Sequence, residues 1–169
     1  MSKNRIVASA HLVSEQAAEL SEYEYGLMVG WNAFQRWITR CMAAAGYGDL
    51  SSLDIMVLHS ANHRDRVKRL ADICFTLNVE DTHTVNYALK KLLKADLVVA
   101  EKRGKEVFYQ TSEAGREACR KYREVREACL VDAFQALGGV NPDDIHDTAR
   151  TLRALSGLYD QAARSATSL

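Results

Sequence analysis

The chain has 169 residues, enough for one domain that buries a hydrophobic core. Hydrophobic residues make up 47% and charged residues 26% of it, and 22 basic residues balance 22 acidic ones, so the overall charge gives no support for a nucleic-acid partner. One proline and nine glycines leave few breaks, which favours long helices over an all-β fold.

The compartment is inferred from apolar segments and cysteines. No stretch approaches the roughly 20 apolar residues of a membrane span, and residues 1–10 lack the apolar run of a signal peptide. The cysteines form no C-x-x-C pair and lie in apolar, helix-like settings, which is typical of reduced thiols in the cytosol. They are Cys41, Cys74, Cys119 and Cys129. We therefore expect a soluble, cytoplasmic protein.

A long helix is predicted in the first third of the chain. Residues 1–20 are weakly patterned and suggest a mobile arm. From Ser21 an apolar stripe recurs at helical spacing until Gly46, which suits a left-handed cap. The stripe comprises Leu27, Trp31, Phe34, Ile38 and Cys41. We expect it to pack in a core or against a second copy; alternatively, Trp31, Phe34 and Trp37 line an apolar ligand crevice.

Three shorter helices are predicted next. The first begins at Ser51 or Ser52, close to a capping box with Asp54, and a polar stretch follows over residues 60–65. The second spans about 66–77 and ends in a polar turn over residues 78–81. The third spans about 82–94, with Asp81 as its N-cap. Its predicted buried face is Val85, Leu89 and Leu92.

The hydrophobic period then changes to that of strands. Residues 97–100 and 107–109 are β-rich, and Gly104 between them can supply the positive φ of a hairpin turn. After residues 111–112 a long helix resumes until Gly138-Gly139. Its predicted stripe is Ala114, Ala118, Tyr122, Val125, Cys129 and Leu137. Asn141-Pro142 then begins a last helix. That helix is lined by Ile145, Ala149, Leu152, Leu155 and Tyr159.

The order of these elements predicts a winged helix-turn-helix in a mainly α fold with a small β-hairpin wing. In such a unit the second helix enters the major groove of DNA, where polar and cationic side chains contact bases and phosphates. The corresponding face here carries Thr82, His83, Thr84, Asn86, Tyr87, Lys90 and Lys91. The amide of Asn86 suits adenine. The wing tip adds Lys102, Arg103 and Lys105. Residues 60–110 carry 10 Lys and Arg against 7 Asp and Glu, a mild basic surplus.

Residues 66–115 resemble the DNA-binding core of MarR-type winged-helix regulators. The similar runs are Leu-Ala-Asp-Ile at 70–73, Thr-Val-Asn-Tyr-Ala-Leu-Lys-Lys-Leu at 84–92, Lys-Ala-Asp-Leu-Val at 94–98 and Thr-Ser-Glu-Ala-Gly at 111–115. Asp96 replaces the usual glycine, and the wing lacks the family's Asp-x-Arg signature, so Arg103 is the nearest candidate for its minor-groove arginine.

The resemblance implies a homodimer on a pseudo-palindromic operator. Residues 21–50 and 113–169 would form its dimerisation helices, and residues 51–112 its DNA-binding lobe. It also implies a crevice that binds a small aromatic effector.

Other functions remain as alternatives. The same fold can bridge proteins, and the mild charge surplus keeps this alternative open. His59 and His63 are four residues apart and suggest a metal-responsive sensor, although the predicted helix ends between them and we expect no metal or cofactor. Cys119, followed by Arg120 and Lys121, is the candidate for a redox-sensing thiol. No catalytic motif points to an enzyme.

Overall fold

The computed structural model describes residues 17–136 and 141–169. These residues fall into two compact units, one ending at Arg126 and the other beginning at Glu127. Most of the predicted N-terminal arm, Leu137 and the predicted break at Gly138-Gly139 lie outside the described residues.

The first unit opens with helix α1, Ala18–Ala44, which begins three residues before the predicted start at Ser21. Gly46 has φ 100° and donates its N–H to the Ala43 carbonyl at 2.9 Å, while the Tyr47 N–H reaches the Met42 carbonyl at 3.0 Å. These two bonds satisfy the last carbonyls of the helix, and the glycine tolerates the left-handed backbone. The predicted cap at Gly46 is therefore confirmed.

The apolar stripe of α1 is buried only near its C-terminal end. Ile38 and Cys41 lie in the core, whereas Leu27, Trp31 and Phe34 are exposed. The expectation that the stripe is covered along its length is therefore wrong for the N-terminal half of α1, whose apolar face is exposed among the residues that the structure describes.

Helix α2, Ser52–Asn62, begins with the capping box expected from Ser51 and Asp54. The Asp54 N–H donates to Ser51 Oγ at 3.2 Å, and the Ser51 N–H donates to Asp54 Oδ2 at 2.8 Å. The polar stretch predicted to start at Ser60 is still helical as far as Asn62, because Ser60 and Ala61 are buried on the core side. A short 3₁₀ turn, His63–Asp65, then ends the helix.

Strand β1, Lys68–Arg69, was not predicted. It pairs antiparallel with a strand some 40 residues later, with Lys68 opposite Tyr109 and Arg69 opposite Phe108. Helix α3, Leu70–Leu77, therefore begins later than the predicted residue 66. Asn78 ends it with φ 52°, a left-handed conformation that asparagine tolerates.

Helix α4, Thr82–Lys94, has the predicted bounds, and Asp81 Oδ1 accepts the His83 N–H at 2.9 Å. Strands β2, Val98–Arg103, and β3, Glu106–Thr111, form the predicted hairpin in a three-stranded sheet of order β1-β3-β2. Gly104 takes φ 63° at the first position of the two-residue turn, as a type II′ turn requires.

Helix α5, Glu113–Arg126, closes the first unit. The predicted buried stripe included Ala114, but Ala114 is exposed and Gly115 is buried instead. A Cβ added at Gly115 would lie 1.9 Å from the Leu97 carbonyl oxygen. Only a glycine allows α5 to approach the segment between α4 and β2 so closely. Helices α1 to α5 and strand β2 together form one apolar core.

The second unit comprises a π-helical segment, Glu127–Val131, helix α6, Asp132–Ala136, and helix α7, Pro142–Ala166. The N-cap predicted at Asn141 is confirmed, since its Oδ1 accepts the Asp143 N–H at 3.0 Å. Cys129 was expected in a core but is exposed. None of the helices over residues 17–136 and 141–169 has the length and apolar character that crossing a membrane requires.

Candidate nucleic-acid interface

The surface of α4 carries most of the side chains predicted to contact DNA. Its inner face is buried at Val85 and Leu89, as predicted, which orients the opposite face outward. Tyr87 is 73% exposed at the centre of that outer face. The other exposed members of the predicted set are Thr82, His83, Thr84 and Lys90. The outer face of α4 therefore presents an aromatic ring, hydroxyl groups, an imidazole and a cation to solvent.

Two predicted contact residues are less available to a partner, one through burial and one through a hydrogen bond within the chain. Asn86 is only half-buried, so its amide remains partly available at the edge of the exposed face. The Thr84 hydroxyl donates to the Asp81 carbonyl at 2.8 Å in the first turn of α4, so its proton is already used. Its remaining contact groups are the methyl and the oxygen lone pairs.

Lys91, a predicted DNA contact, also makes an ion pair within the chain that the sequence did not predict. Its ammonium donates to Asp54 Oδ2 at 2.7 Å and to the Asp49 carbonyl at 2.6 Å. The Asp54 side chain is only 5% exposed, whereas that of Lys91 is 37% exposed. A buried carboxylate needs a charged partner, and Lys91 supplies it across the interface of α2 and α4. Lys91 therefore fixes the position of α4. Of the two lysines, Lys90 is the one whose ammonium group the outer face presents to solvent.

The wing tip is basic, but its arginine is already engaged. Arg103 donates from Nε and Nη2 to the Glu101 carboxylate at 2.9 and 2.7 Å, and its guanidinium carbon lies 5.1 Å from the centre of the Phe108 ring. These hydrogen bonds lower the pKa of Glu101. Lys102 and Lys105 are exposed. Glu101 occupies the Nε and Nη2 donors of Arg103, so a phosphate or a minor groove would have to displace Glu101 or use the remaining N–H groups.

Arg69 connects the wing to the helix-turn-helix, a role that the sequence analysis missed. Its guanidinium reaches Asp72 Oδ1 at 3.1 Å and Glu106 Oε1 at 3.1 Å. The Arg69 hydrogen bonds lower the pKa of Asp72. The three-residue spacing of Arg69 and Asp72 is a usable signal, but the partnership with Glu106 depends on the unpredicted pairing of β1 with β3.

A crevice of about 370 Å³ lies in the first unit. Phe34 and Ile38 from α1, Met56 from α2 and Tyr122 from α5 are among its mostly apolar lining residues. Of the three aromatic residues predicted to line such a crevice, only Phe34 does so. Trp31 is exposed with its ring 6.1 Å from that of Phe34, and Trp37 packs against the core, so neither belongs to the lining.

Cys119 lies in surroundings opposite to those that a redox-sensing thiol needs. It is buried, and burial raises its pKa to about 11, so the reactive thiolate is disfavoured. The predicted influence of Arg120 and Lys121 is not realised, because both side chains are exposed.

The pair His59 and His63 does not form a metal site of the usual kind. The His59 ring packs edge-on against the Tyr122 ring, with 4.5 Å between the ring centres. Burial lowers the pKa of His59. His63 lies beyond the end of α2, in the turn. Within residues 17–136 and 141–169, no three His, Cys, Asp or Glu side chains cluster as metal ligands.

Comparison with known proteins agrees with this geometry. Residues 50–115 match the family model of a winged helix DNA-binding domain. No curated protein sequence matches the chain. Several solved structures share its fold at low identity.

Three such structures illustrate the likeness. Staphylococcus aureus MarR in complex with salicylate and kanamycin has a TM-score of 0.65 at 15% identity, covering 87% of this chain and 95% of that one. A mutant MarR from E. coli complexed with operator DNA has a TM-score of 0.64 at 14% identity, and the match covers 84% of this chain and 99% of that one. The transcriptional regulator BldR from Sulfolobus solfataricus has a TM-score of 0.62 at 14% identity, and the match covers 83% of this chain and 98% of that one.

Proposed function

We propose that this chain is a cytoplasmic transcription regulator that binds a pseudo-palindromic operator as a homodimer. The chain contains a winged helix DNA-binding domain and has the MarR-type fold. The observation that carries the proposal is the outer face of α4, which presents Tyr87, Lys90 and neighbouring polar groups to solvent. An α-helix of this width fits the major groove, and its side chains can reach base edges and phosphates.

The exposed apolar residues of the terminal helices support the proposed dimer. Leu27, Met28 and Trp31 on α1 are exposed, and so are Ile145 and Leu158 on α7. Exposed apolar residues in such number on two helices favour a protein interface. We propose that these helices join two copies, which would place the two α4 helices about one turn of duplex apart. Occupancy of a promoter would then exclude or recruit the polymerase.

Selection of bound fragments from genomic DNA, followed by fluorescence anisotropy, tests the DNA-contacting face. Lys90→Ala should weaken binding to every sequence and lower the salt slope by about 1, because one phosphate contact is lost. Asn86→Ala should change the preference at one base pair by about 1–3 kcal/mol. Lys121→Ala on α5 is the charge-matched control and should bind like the parent chain. If both α4 variants behaved like this control, the proposed interface would be wrong.

The crevice of about 370 Å³ supports a small aromatic effector as a partner. Its mostly apolar lining and its volume are typical of sites for small organic molecules. An effector that binds better to one separation of the DNA-binding lobes would shift the regulator between states. Salicylate serves as the probe: we expect it to weaken operator binding by the parent chain, and less so after Phe34→Ala. An operator affinity that salicylate leaves unchanged would contradict this assignment.

The alternative of a winged helix that bridges proteins predicts no mobility shift of any DNA fragment at low salt. The match of residues 50–115 to a DNA-binding domain favours the first function.

A further inference from the structure

A second cavity, of about 490 Å³, lies between α2 and α5 on the first unit. Four arginines of α5 line it: Arg116, Arg120, Arg123 and Arg126. Its inner surface includes Cys119 and Tyr122, both buried in the core. The cavity is therefore concave, with an apolar floor and a rim of cations, and its volume lies in the range of small-molecule sites.

The charges of α5 are sorted by face. Arg116, Arg120 and Arg123 follow one another at steps of four and three residues, so they form one stripe along the helix. Glu113, Glu117 and Glu124 follow one another at steps of four and seven residues, so they form a neighbouring stripe. None of these glutamates is among the residues that line the cavity. The cavity therefore faces a local excess of positive charge, although the chain as a whole is neutral.

Two of the arginines are held in place by that glutamate stripe. Arg116 donates to Glu113 Oε2 at 2.6 Å and to the Thr111 carbonyl at 3.1 Å. Arg120 donates to Glu117 Oε1 at 2.6 Å and also pairs with Glu124. Exposed pairs of this kind are weak because water screens them, so a doubly charged anion can compete for these guanidinium groups.

Arg123 is the cation most available to a ligand. Within residues 17–136 and 141–169, no hydrogen bond or ion pair engages its exposed side chain. A guanidinium group offers paired N–H donors whose geometry matches a phosphate.

Two polar groups from α2 complete the lining. Asn62 accepts the Thr111 hydroxyl at its Oδ1 atom at 3.1 Å, which leaves its NH₂ group as a donor. His59, which lines both this cavity and the aromatic crevice, has a buried Nε2 atom without a hydrogen-bond partner in the described part of the chain. A buried polar atom without a partner is unfavourable, and a ligand oxygen near it would satisfy it.

We propose that this cavity binds a small phosphate-bearing molecule, such as a phosphate monoester or a diphosphate, through the α5 arginines with Asn62 and His59 beneath them. A compact anion suits a concave site with a buried floor better than the backbone of a duplex, which needs a flat or protruding basic surface. The site shares His59 and Tyr122 with the aromatic crevice and differs from it in its charge and in its arginine lining. It does not depend on the proposed DNA binding, because it can be measured without DNA.

Calorimetric titration of the full chain with pyrophosphate, without DNA and at low salt, tests the proposal. We expect saturable binding that Arg116→Gln with Arg123→Gln weakens about tenfold or more, since two charge-assisted contacts are lost. Arg150→Gln on α7 removes an exposed, ion-paired arginine outside the cavity and should bind like the parent chain. If the double variant does not fold, Arg123→Gln alone gives the answer, because no hydrogen bond or ion pair within the described residues depends on that side chain.

Three results would overturn the proposal. The first is no saturable binding of pyrophosphate at millimolar concentration. The second is equal weakening by Arg150→Gln, which would indicate general charge attraction. The third is a double variant that binds pyrophosphate as tightly as the parent chain, which would show that the α5 arginines do not form the site.

Discussion

At the residue scale, Lys90 and Lys91 are neighbours with different roles. Lys91→Ala removes the partner of the buried Asp54 carboxylate, whereas Lys90 is exposed on the outer face of α4. We expect Lys91→Ala to lower the free energy of unfolding by about 2–3 kcal/mol, slightly below the value for a fully buried pair because Lys91 is partly exposed. Lys90→Ala should change it by less than about 0.5 kcal/mol. Urea denaturation of both variants provides the measurement, and equal stability of the two would contradict the assigned roles.

A second prediction at the residue scale concerns pH and Cys119. Burial raises its pKa from 9.0 to about 11, so the folded chain keeps a proton that the unfolded chain releases between these values. The stabilisation is therefore fully present below pH 9 and is lost as the pH rises towards 11. Tyr122, whose pKa burial raises to about 12, adds to the same trend.

Denaturation at about pH 8 and about pH 10.5 measures this loss. We expect the decrease in the free energy of unfolding to be smaller for Cys119→Ala than for the parent chain. An identical decrease in both, or rapid labelling of Cys119 in the folded chain at neutral pH, would show that the thiol is not buried as described.

At the scale of elements, the contact of α5 with the segment between α4 and β2 depends on Gly115. A Cβ at this position would overlap the Leu97 carbonyl oxygen, at 1.9 Å, so α5 would have to move away. We expect Gly115→Ala to destabilise the chain by about 3 kcal/mol or more. Gly157 on α7 is the matched control, because nothing lies within 4 Å of its added Cβ. Gly157→Ala should stabilise by up to about 1 kcal/mol through helix propensity, and thermal unfolding measures both.

The wing gives another prediction at this scale. Glu101 holds the Arg103 guanidinium within β2, so Glu101→Gln should release it for a phosphate. We expect the Kd for DNA to fall about threefold, in keeping with the small energy of an exposed pair. Asp147→Asn on α7 also removes an acidic partner of an arginine and should leave the Kd unchanged. Weaker binding by Glu101→Gln would indicate that Glu101 holds Arg103 in its binding position.

The elements that local sequence determines were predicted well. The bounds of α4, the caps at Ser51, Asp81 and Asn141 and the turn at Gly104 all depend on side chains within a few residues. Strand β1 was missed because two residues carry no periodicity and the pairing with β3 is non-local. The role of Lys91 was missed for the same reason, since its partner Asp54 is 37 residues away.

At the scale of the whole molecule, the uncovered apolar face of α1 predicts association. The chain has a mass of 18.9 kDa, and we expect sedimentation to show a particle of twice that mass. Trp31→Glu would place a charge in the proposed interface and should favour the monomer, because burying an unpaired charge is strongly unfavourable. Asn32→Glu adds the same charge at the neighbouring position, which is polar and exposed. This variant is the control and should remain dimeric. A parent chain that sediments as a monomer at all concentrations would contradict the proposed dimer.

The central claim is that two copies insert their α4 helices into duplex DNA. Hydroxyl-radical footprinting on a selected genomic fragment tests it most directly. The account predicts two symmetric patches of protection whose centres lie about 10 base pairs, one helical turn, apart, and weaker protection of both patches with Lys90→Ala. A single unpaired patch, or no protection at concentrations where the chain is fully folded, would contradict it.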